Sequence, residues 1–324
     1  MAEATAWRPA RLRAARNLTA DVRLIEIEPD GDFVPPRPGS HINVAVRIGE
    51  RADTRSYTLV GACEDGLYRI AVKRLATSRG GGTYLWGLGA GARLSIAGPH
   101  NHFDMSRGRS DYLLVAGGIG ITPIYSMALA LQEAGAQFRV LYACRRPEDA
   151  AFADELQALI GDRLELMISD LGRRIDFRGA IARLAPDGEL YVCGPIPMLE
   201  EAKRSWRDAG RTVEGLRFET FGTGGRYPAL PFQVVISRIG RTIEVPANQT
   251  MLEALEAAGV DMMHDCRRGE CGLCALDILD ADAPVDHRDV FFSEAEKARN
   301  AKLCTCVSRA VGGTVTVDIP ARIA

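Results

Sequence analysis

Residues 266–274 read CRRGECGLC, three cysteines in nine residues with glycine or charge almost everywhere between them. Two more thiols, Cys304 and Cys306, follow in AKLCTCVSRA, while Cys63, Cys144 and Cys193 stand singly. Such clustering in a long chain points to metal rather than to disulfides. Structural zinc takes its ligands from two separated knuckles. Three ligands from one C-x4-C-x2-C loop with a distant fourth is the spacing of a plant-type [2Fe–2S] centre. Gly269 and Gly272 would let the backbone bring its amides up to the cluster sulfurs. A Rieske centre would need two histidine ligands, and neither His264 nor His287 sits in a Cys-x-His pair. Cys266, Cys271 and Cys274 are therefore predicted ligands, with a zinc module or spare thiols as the competing reading. The fourth ligand is Cys304 or Cys306. Residues two apart on a strand face the same side, so periodicity does not separate them.

Two stretches upstream could handle a nucleotide. LLVAGGIGITP sets Gly117, Gly118 and Gly120 between a strand and a helix, where glycine permits a tight turn and lets a pyrophosphate approach helix amides. It is not G-x-G-x-x-G, so the ordinary Rossmann fingerprint is absent. LYVCGP then puts Cys193, Gly194 and Pro195 at a strand end, the edge of an α/β sheet where ligands bind; alone, Cys193 reads equally as a core thiol. Nearer the start, RSYTL carries Arg55 and Tyr57 on one face of a strand and Ser56 and Thr58 on the other. Arginine offers a fork for phosphate and tyrosine a flat wall for an aromatic ring. AVKRLATSRGGGTYLW follows with Lys73 and then Gly80, Gly81 and Gly82 opening a helix, a second anion site.

The elements that must position these residues change texture twice along the 324 residues. Residues 8 to about 105 read as six short strands with turn clusters between them, which predicts a closed antiparallel barrel interrupted by the helical piece GGTYLWGLG. From 111 to about 221, apolar runs such as YLLVAG and LYVCG alternate with helices, predicting a parallel sheet covered on both faces. FGTGGRYPALP is Gly/Pro-rich and reads as a linker. Beyond it come a hairpin (FQVVISRIG, RTIEVPA), a helix capped by Thr250, the cysteine stretch and short strands. Boundaries are drawn at 1–105, 106–225 and 226–324. Residues 231–324 carry 10 basic and 14 acidic side chains, and the whole chain has a formal charge of −2, so nucleic acid is a poor partner. No run of about 18 apolar residues predicts a membrane span. MAEATAWRPARLRAARNLTADVRL has arginines but no apolar core, so a cytoplasmic protein is expected.

In this order, RSYTL, AVKR, SRGG, NHF, LLVAGGIGITP, CGP, RFETFG, CRRGECGLC, DHRD and CVSRA resemble the phthalate dioxygenase reductase family, from about residue 10 to the end. Vanillate demethylase reductases share the layout. The resemblance implies a flavin-binding antiparallel β-barrel, a nicotinamide α/β domain with a parallel sheet, and an α+β plant-type ferredoxin of β-grasp form. It implies that Arg55, Tyr57 and Thr58, with Ser56 between them, line the flavin, Thr58 lying near N5. Ala71, Val72, Lys73, Gly80 and Gly81 would hold the ring and its phosphate. Many relatives have serine after GG, where this chain has Gly82 and then Thr83; either amides suffice or Thr83 supplies the hydroxyl. Gly118, Gly120, Thr122 and Pro123, beside Gly117, would meet flavin and pyrophosphate, and Cys193, with Gly194 and Pro195, would flank the nicotinamide. Glu219 and Phe221 match an acid–x–aromatic ending whose ring covers the flavin, and because the chain continues, Phe221 is expected between the two redox groups. Both ferredoxin and reductase endings choose Cys306 as fourth ligand, leaving Cys304 a buried small thiol.

FMN is expected rather than FAD, since the barrel shows no adenine-binding insertion. Plant NADPH enzymes place Ser-Arg after the third strand of this domain; here stand Ser169 and Asp170. Asp170 would repel a 2′-phosphate and accept from a ribose hydroxyl, which favours NADH, with Arg145 and Arg146 nearby as the opposing feature. The expected activity is that of an NADH-dependent reductase component, a monomer, passing single electrons through [2Fe–2S] to a Rieske-type oxygenase acting on an aromatic or quaternary-amine substrate. The alternative is an electron-transfer module whose nicotinamide site is idle.

Overall fold

The computed structural model describes residues 7–63, 65–74, 80–221, 225 and 227–319. It divides into two compact units, Met1–Glu219 and Thr220–Ala324.

The first unit opens with six strands: β1 (Trp7–Asn17), β2 (Val22–Pro29), β3 (Ser40–Ile48), β4 (Arg51–Thr58), β5 (Tyr68–Lys73) and β6 (Arg93–Asn101). They pair antiparallel in the order β4-β3-β6-β1-β2-β5. The sheet curls until its edges meet just past β4, where Leu59 bridges Ile70 and the Val60 amide donates to the Arg69 carbonyl at 2.8 Å. Curling removes exposed edges and closes the interior over one apolar face. Leu12, Ile25, Ile42, Val44, Ile70 and Ile96 fill it with no exposed surface, and Leu85 joins them from the short helix α1 (Gly81–Trp86). The α1 end is stapled to β5: Trp86 Nε1 donates to the Val72 carbonyl at 2.9 Å, and Arg74 lies 4.5 Å above the Trp86 ring.

The same unit continues as β7 (Tyr112–Gly117), α2 (Ile121–Glu133), β8 (Phe138–Cys144), α3 (Ala153–Ile160), β9 (Leu164–Ile168), α4 (Phe177–Ala182), β10 (Glu189–Cys193), α5 (Ile196–Asp208) and β11 (Leu216–Glu219). All five strands are parallel, in the order β11-β10-β7-β8-β9. β7 and β10 are buried at every position, as strands covered on both faces must be. α5 turns Leu199, Ala202 and Trp206 inward and leaves charge outside. A side chain of α2 ties the two halves together: Ser126 Oγ donates to the Leu59 carbonyl at 3.0 Å and accepts the Gly61 amide at 3.1 Å. That fixes the nucleotide-side helix beside the strand end that carries Thr58.

The second unit is a mixed sheet of β12 (Phe232–Ile236), β13 (Arg241–Val245), β14 (Ala275–Ala281), β16 (Lys302–Cys304) and β18 (Thr314–Asp318), with β15 (Val285–Asp286) and β17 (Arg309–Ala310) as a separate pair. The order is β13-β12-β18-β14-β16, with β12 and β18 parallel and the other neighbours antiparallel. α6 (Met251–Ala257) starts in a full capping box, the Thr250 side chain accepting from the Glu253 amide and Glu253 returning the bond. α7 (Glu294–Arg299) repeats the device with Ser293 and Glu296. No described helix is long and apolar enough to cross a membrane.

Candidate functional site

The cysteine loop runs between the end of α6 and β14, and its glycines are there for steric reasons that can be named. Gly269 and Gly272 have φ of +75° and +74°, a region that side chains resist. A Cβ on Gly269 would stand 2.6 Å from Val307 Cγ2, and one on Gly272 would enter the Phe291 ring. The Gly269 carbonyl accepts two amides, Val290 at 2.9 Å and Phe291 at 3.1 Å, which ties the loop to the DHRD segment. That segment is latched in turn. Asp289, fully buried, accepts from Ser308 Oγ at 3.1 Å and from the Phe292 amide at 3.0 Å, while Ser308 Oγ accepts the Arg288 amide at 3.1 Å. The sequence marked DHRD without a role and CVSRA only for Cys306; the hydrogen bonds between the two stretches form only in three dimensions, so no local signal could have found them.

Inside this frame the sulfurs fall into groups. Cys266 Sγ accepts the amides of Arg268, Glu270 and Cys271, each at 3.4 Å, and lies within reach of the Cys271 thiol. Burial pushes the Cys266 thiol up, and the three amides oppose it. Cys274 lies within hydrogen-bonding reach of Cys304 and of Cys306, which, in that order, pull it far below the usual thiol range. Cys306 also accepts the Gly269 amide and feels Cys266, whereas Cys304 has Asp289 as its further charged neighbour. Among the described residues, no three His, Cys, Asp or Glu side chains close on one point as a single ion requires. Cys266 stands with Cys271, and Cys274 with both Cys304 and Cys306. A donor set of four buried or half-buried thiols with backbone amides aimed at sulfur fits a [2Fe–2S] cluster.

On the barrel, β4 carries RSYT. Arg55 and Tyr57 are partly buried; Ser56 is exposed and donates to Asn43 Oδ1 at 2.6 Å. Thr58 is buried beside the bridge that closes the sheet, and its Oγ1 has no hydrogen-bond partner. A buried hydroxyl left in that state costs stability unless a ligand meets it, so this atom fits a flavin. Burial pushes Tyr57 up to about 12, with Arg55 opposing. Arg55 Nη1 bonds Asp53 Oδ1 at 2.8 Å, and its stem lies where a Cβ on Gly81 would be, 2.7 Å from Arg55 Cγ. Gly81 is thus needed for the arginine to lie across the start of α1. Gly80, at φ +99°, makes the turn before it. Ala71 and Val72 are buried in β5, and Lys73 Nζ reaches Asp21 Oδ2 at 3.3 Å. Gly82 is half-buried and Thr83 exposed within α1. Ser78 and Arg79 of SRGG lie outside the described residues.

At the carboxyl edge of the parallel sheet the glycines turn out to serve one another. A Cβ on Gly117 would stand 2.6 Å from Pro195 Cδ and 3.1 Å from Gly194 Cα, and one on Gly120 would overlap the Cys193 carbonyl. A Cβ on Gly194 would in turn stand 2.8 Å from Met198 Sδ and 3.2 Å from Gly117 Cα. GGIG and CGP are therefore two halves of one backbone contact. Gly118 differs: φ is +55°, and a Cβ there would meet nothing within 4 Å. It is the glycine of this set that leaves open room. Thr122 is buried and donates to the Ile119 carbonyl at 3.2 Å, and Pro123 is buried in the first turn of α2. Cys193 has no exposed surface and sits in parallel register with Glu219, itself 1% exposed. Asp170 follows β9, with Arg145 Nε 3.5 Å from its Oδ1, and Arg146 is held by Asp149 at 2.9 Å. Phe221 is the second residue of the second unit and is 37% exposed.

Residues 234–311 match the family model of the 2Fe-2S iron-sulfur cluster binding domain, and residues 114–170 that of the oxidoreductase NAD-binding domain. The chain is 35% identical over 312 residues to the heme-dependent oxidative N-demethylase beta subunit of Ectopseudomonas mendocina (strain ymp), covering 95% of this chain and 98% of that one. It is 37% identical over 316 residues to the phenoxybenzoate dioxygenase subunit beta of Ectopseudomonas oleovorans, covering 95% and 96%. Among solved structures, phthalate dioxygenase reductase, described as modular for electron transfer from pyridine nucleotides to [2Fe–2S], superposes with a TM-score of 0.79 at 30% identity over 97% of this chain and 98% of that one.

Proposed function

The chain belongs to the phthalate dioxygenase reductase family, and on that premise we propose that it is the NADH-dependent reductase component of a Rieske-type oxygenase system, using FMN and a [2Fe–2S] cluster. Bound flavin supplies the change from hydride to single-electron chemistry, and the cluster supplies a one-electron outlet. The protein's part is to bind, orient and keep water out. Thr58 Oγ1 offers its hydrogen bond to the flavin ring, Tyr57 walls the ring, and Arg55 with the α1 amides receives its phosphate. Gly118 gives the dinucleotide room at the start of α2, while Gly117, Gly120 and Gly194 hold the two strand ends together. Cys193 and Glu219, both buried, act by shaping the sheet edge under the nicotinamide. Asp170 accepts from the adenosine ribose; Arg145 is turned to Asp170 and Arg146 to Asp149, which leaves little welcome for a 2′-phosphate.

One observation carries the reading: Cys266 beside Cys271 and Cys274 beside Cys304 and Cys306, with amides aimed at sulfur, in a chain whose other unit ends a parallel sheet in a glycine-rich turn. The protein should be coloured when purified, bleach on anaerobic addition of NADH, and give a paramagnetic signal from the reduced cluster. A colourless protein, or one that NADH leaves oxidised, ends it. Eight cysteines without a disulfide accord with a reducing cytoplasm, and a monomer is the expected species on sedimentation.

A second reading keeps the reductase and changes the acceptor to a haem protein, because one relative is the beta subunit of a heme-dependent N-demethylase. NADH-driven turnover with a Rieske oxygenase and with a haem-containing oxygenase, compared side by side, separates the two.

A further inference from the structure

Five cysteines converge where a [2Fe–2S] cluster needs four. Cys304 is fully buried on β16, paired with Ala275 in the antiparallel register with β14, and so stands next to Cys274. The residue after it clamps Cys274: the Thr305 amide and Thr305 Oγ1 both donate to the Cys274 carbonyl, at 3.3 and 2.9 Å. With the main chain pinned there, the thiols of Cys304 and Cys306 both come within hydrogen-bonding reach of the Cys274 sulfur. Cys306 is the one that also reaches the first half of the loop, through the Gly269 amide. Cys304, on β16, belongs with Cys274 and Cys306 to the apolar core of the second unit.

We propose that Cys304 is a positioning residue whose S–H donates to the ligand sulfur of Cys274 and raises the reduction potential of the cluster. The proposal rests on the reading that Cys266, Cys271, Cys274 and Cys306 hold [2Fe–2S]. Reduction adds one negative charge to the iron–sulfur unit, and part of it falls on the ligand sulfurs. A donor aimed at such a sulfur gains more from the reduced state than from the oxidised one, which is how hydrogen bonds to sulfur tune these centres. A thiol is a weak donor, but this one is sealed from water, where hydrogen bonds strengthen.

The test uses the full-length protein as wild type, Cys304→Ala, Cys304→Val and Cys304→Ser, titrated anaerobically with the EPR signal of the reduced cluster as readout and iron content measured in parallel. Cys304→Ala and Cys304→Val are expected to keep the iron and titrate at lower potential than wild type, whereas Cys304→Ser, which retains an O–H donor, stays close to wild type. Equal potentials in all four proteins overturn the proposal. A fall in Cys304→Ser as deep as in Cys304→Val assigns the shift to packing and overturns it too. Loss of the cluster from the Cys304 variants overturns it by making Cys304 a ligand or a structural necessity. Wild type without iron or visible absorption refutes the cluster reading itself, before any variant is compared.

Discussion

The cysteine loop and the nucleotide turn both depend on glycine, but for opposite reasons. In the loop, Gly269 and Gly272 take positive φ beneath Val307 and Phe291, so that amides can turn inward to sulfur. In the turn, Gly117 and Gly120 are pressed against the main chain of Gly194 and Cys193, and Gly118 alone of the three faces open space. One region uses glycine to aim amides at sulfur; the other uses it mainly to join two strand ends, with a single residue left facing open space. A glycine-rich string therefore does not by itself say where a ligand lies. What a Cβ would strike does.

The hardest blow to the comparison falls on the loop. Cys306→Ser is expected to remove the cluster, seen as loss of visible absorption and of iron, while NADH-driven dye reduction through the flavin persists. If Cys304→Ser instead does this and Cys306→Ser keeps the cluster, the pairing of Cys274 with Cys306 is wrong.

On the nucleotide side the two glycines should part company. Gly120→Ala drives a methyl into the Cys193 carbonyl and should destabilise the protein by about 2–3 kcal/mol, as overpacked sites do, read as a lowered thermal midpoint. Gly118→Ala meets no atoms and pays only for its left-handed backbone, about 1 kcal/mol, yet should raise KM for NADH more than Gly120→Ala does. The distinction collapses if both variants lose the same stability and neither changes KM selectively.

The two regions also differ in what could be read from residue order. Three of the expected cluster ligands are neighbours along the chain, and C-x4-C-x2-C states their spacing almost outright; the choice of Cys306 over Cys304 came from the resemblance, and the fold brings both thiols to Cys274. The barrel and the parallel sheet were legible because strand and helix periods differ, and β7 and β10 announce themselves as continuous apolar runs. The roles of Gly117, Gly120 and Gly194 were not legible. They follow from Ala116 lying beside Cys193 in the β7–β10 register, a meeting of residues far apart in sequence. The same limit hid the Asp289–Ser308 latch, whose two members gain a purpose only when β15 and β17 pair. Thr83 was weighed as a hydroxyl for the flavin phosphate; it lies exposed on α1.

Nucleotide choice sharpens the comparison further. Asp170 and Arg145 are both largely exposed and 3.5 Å apart, so their mutual attraction is worth under about 1 kcal/mol. Asp170→Ala removes the charge that repels a 2′-phosphate and frees the Arg145 guanidinium to attract one. The ratio of kcat/KM for NADPH to that for NADH should rise by roughly tenfold, about 1.4 kcal/mol. An unchanged ratio would mean that the adenosine ribose does not come to this side of the sheet.

The smallest effect is the most diagnostic, because its sign depends on whether ligand is bound. Thr58 Oγ1 is buried without a partner in the protein, so Thr58→Val replaces an unsatisfied hydroxyl by a methyl of the same shape. Without flavin this should be neutral or stabilise by about 1 kcal/mol, which for a chain of this size raises the thermal midpoint by a few degrees at most, about 2–4 °C. With flavin the order should invert, since the variant forfeits a hydrogen bond worth about 1 kcal/mol and FMN affinity falls several-fold. Melting the flavin-free and FMN-saturated forms of both proteins reads the two signs in one experiment. If the variant melts below wild type in the absence of flavin, the hydroxyl has a partner within the protein and the barrel offers the ring no donor at Thr58. If it melts above wild type in both forms, the hydroxyl is a surplus polar atom and β4 holds the flavin by Arg55 and Tyr57 alone.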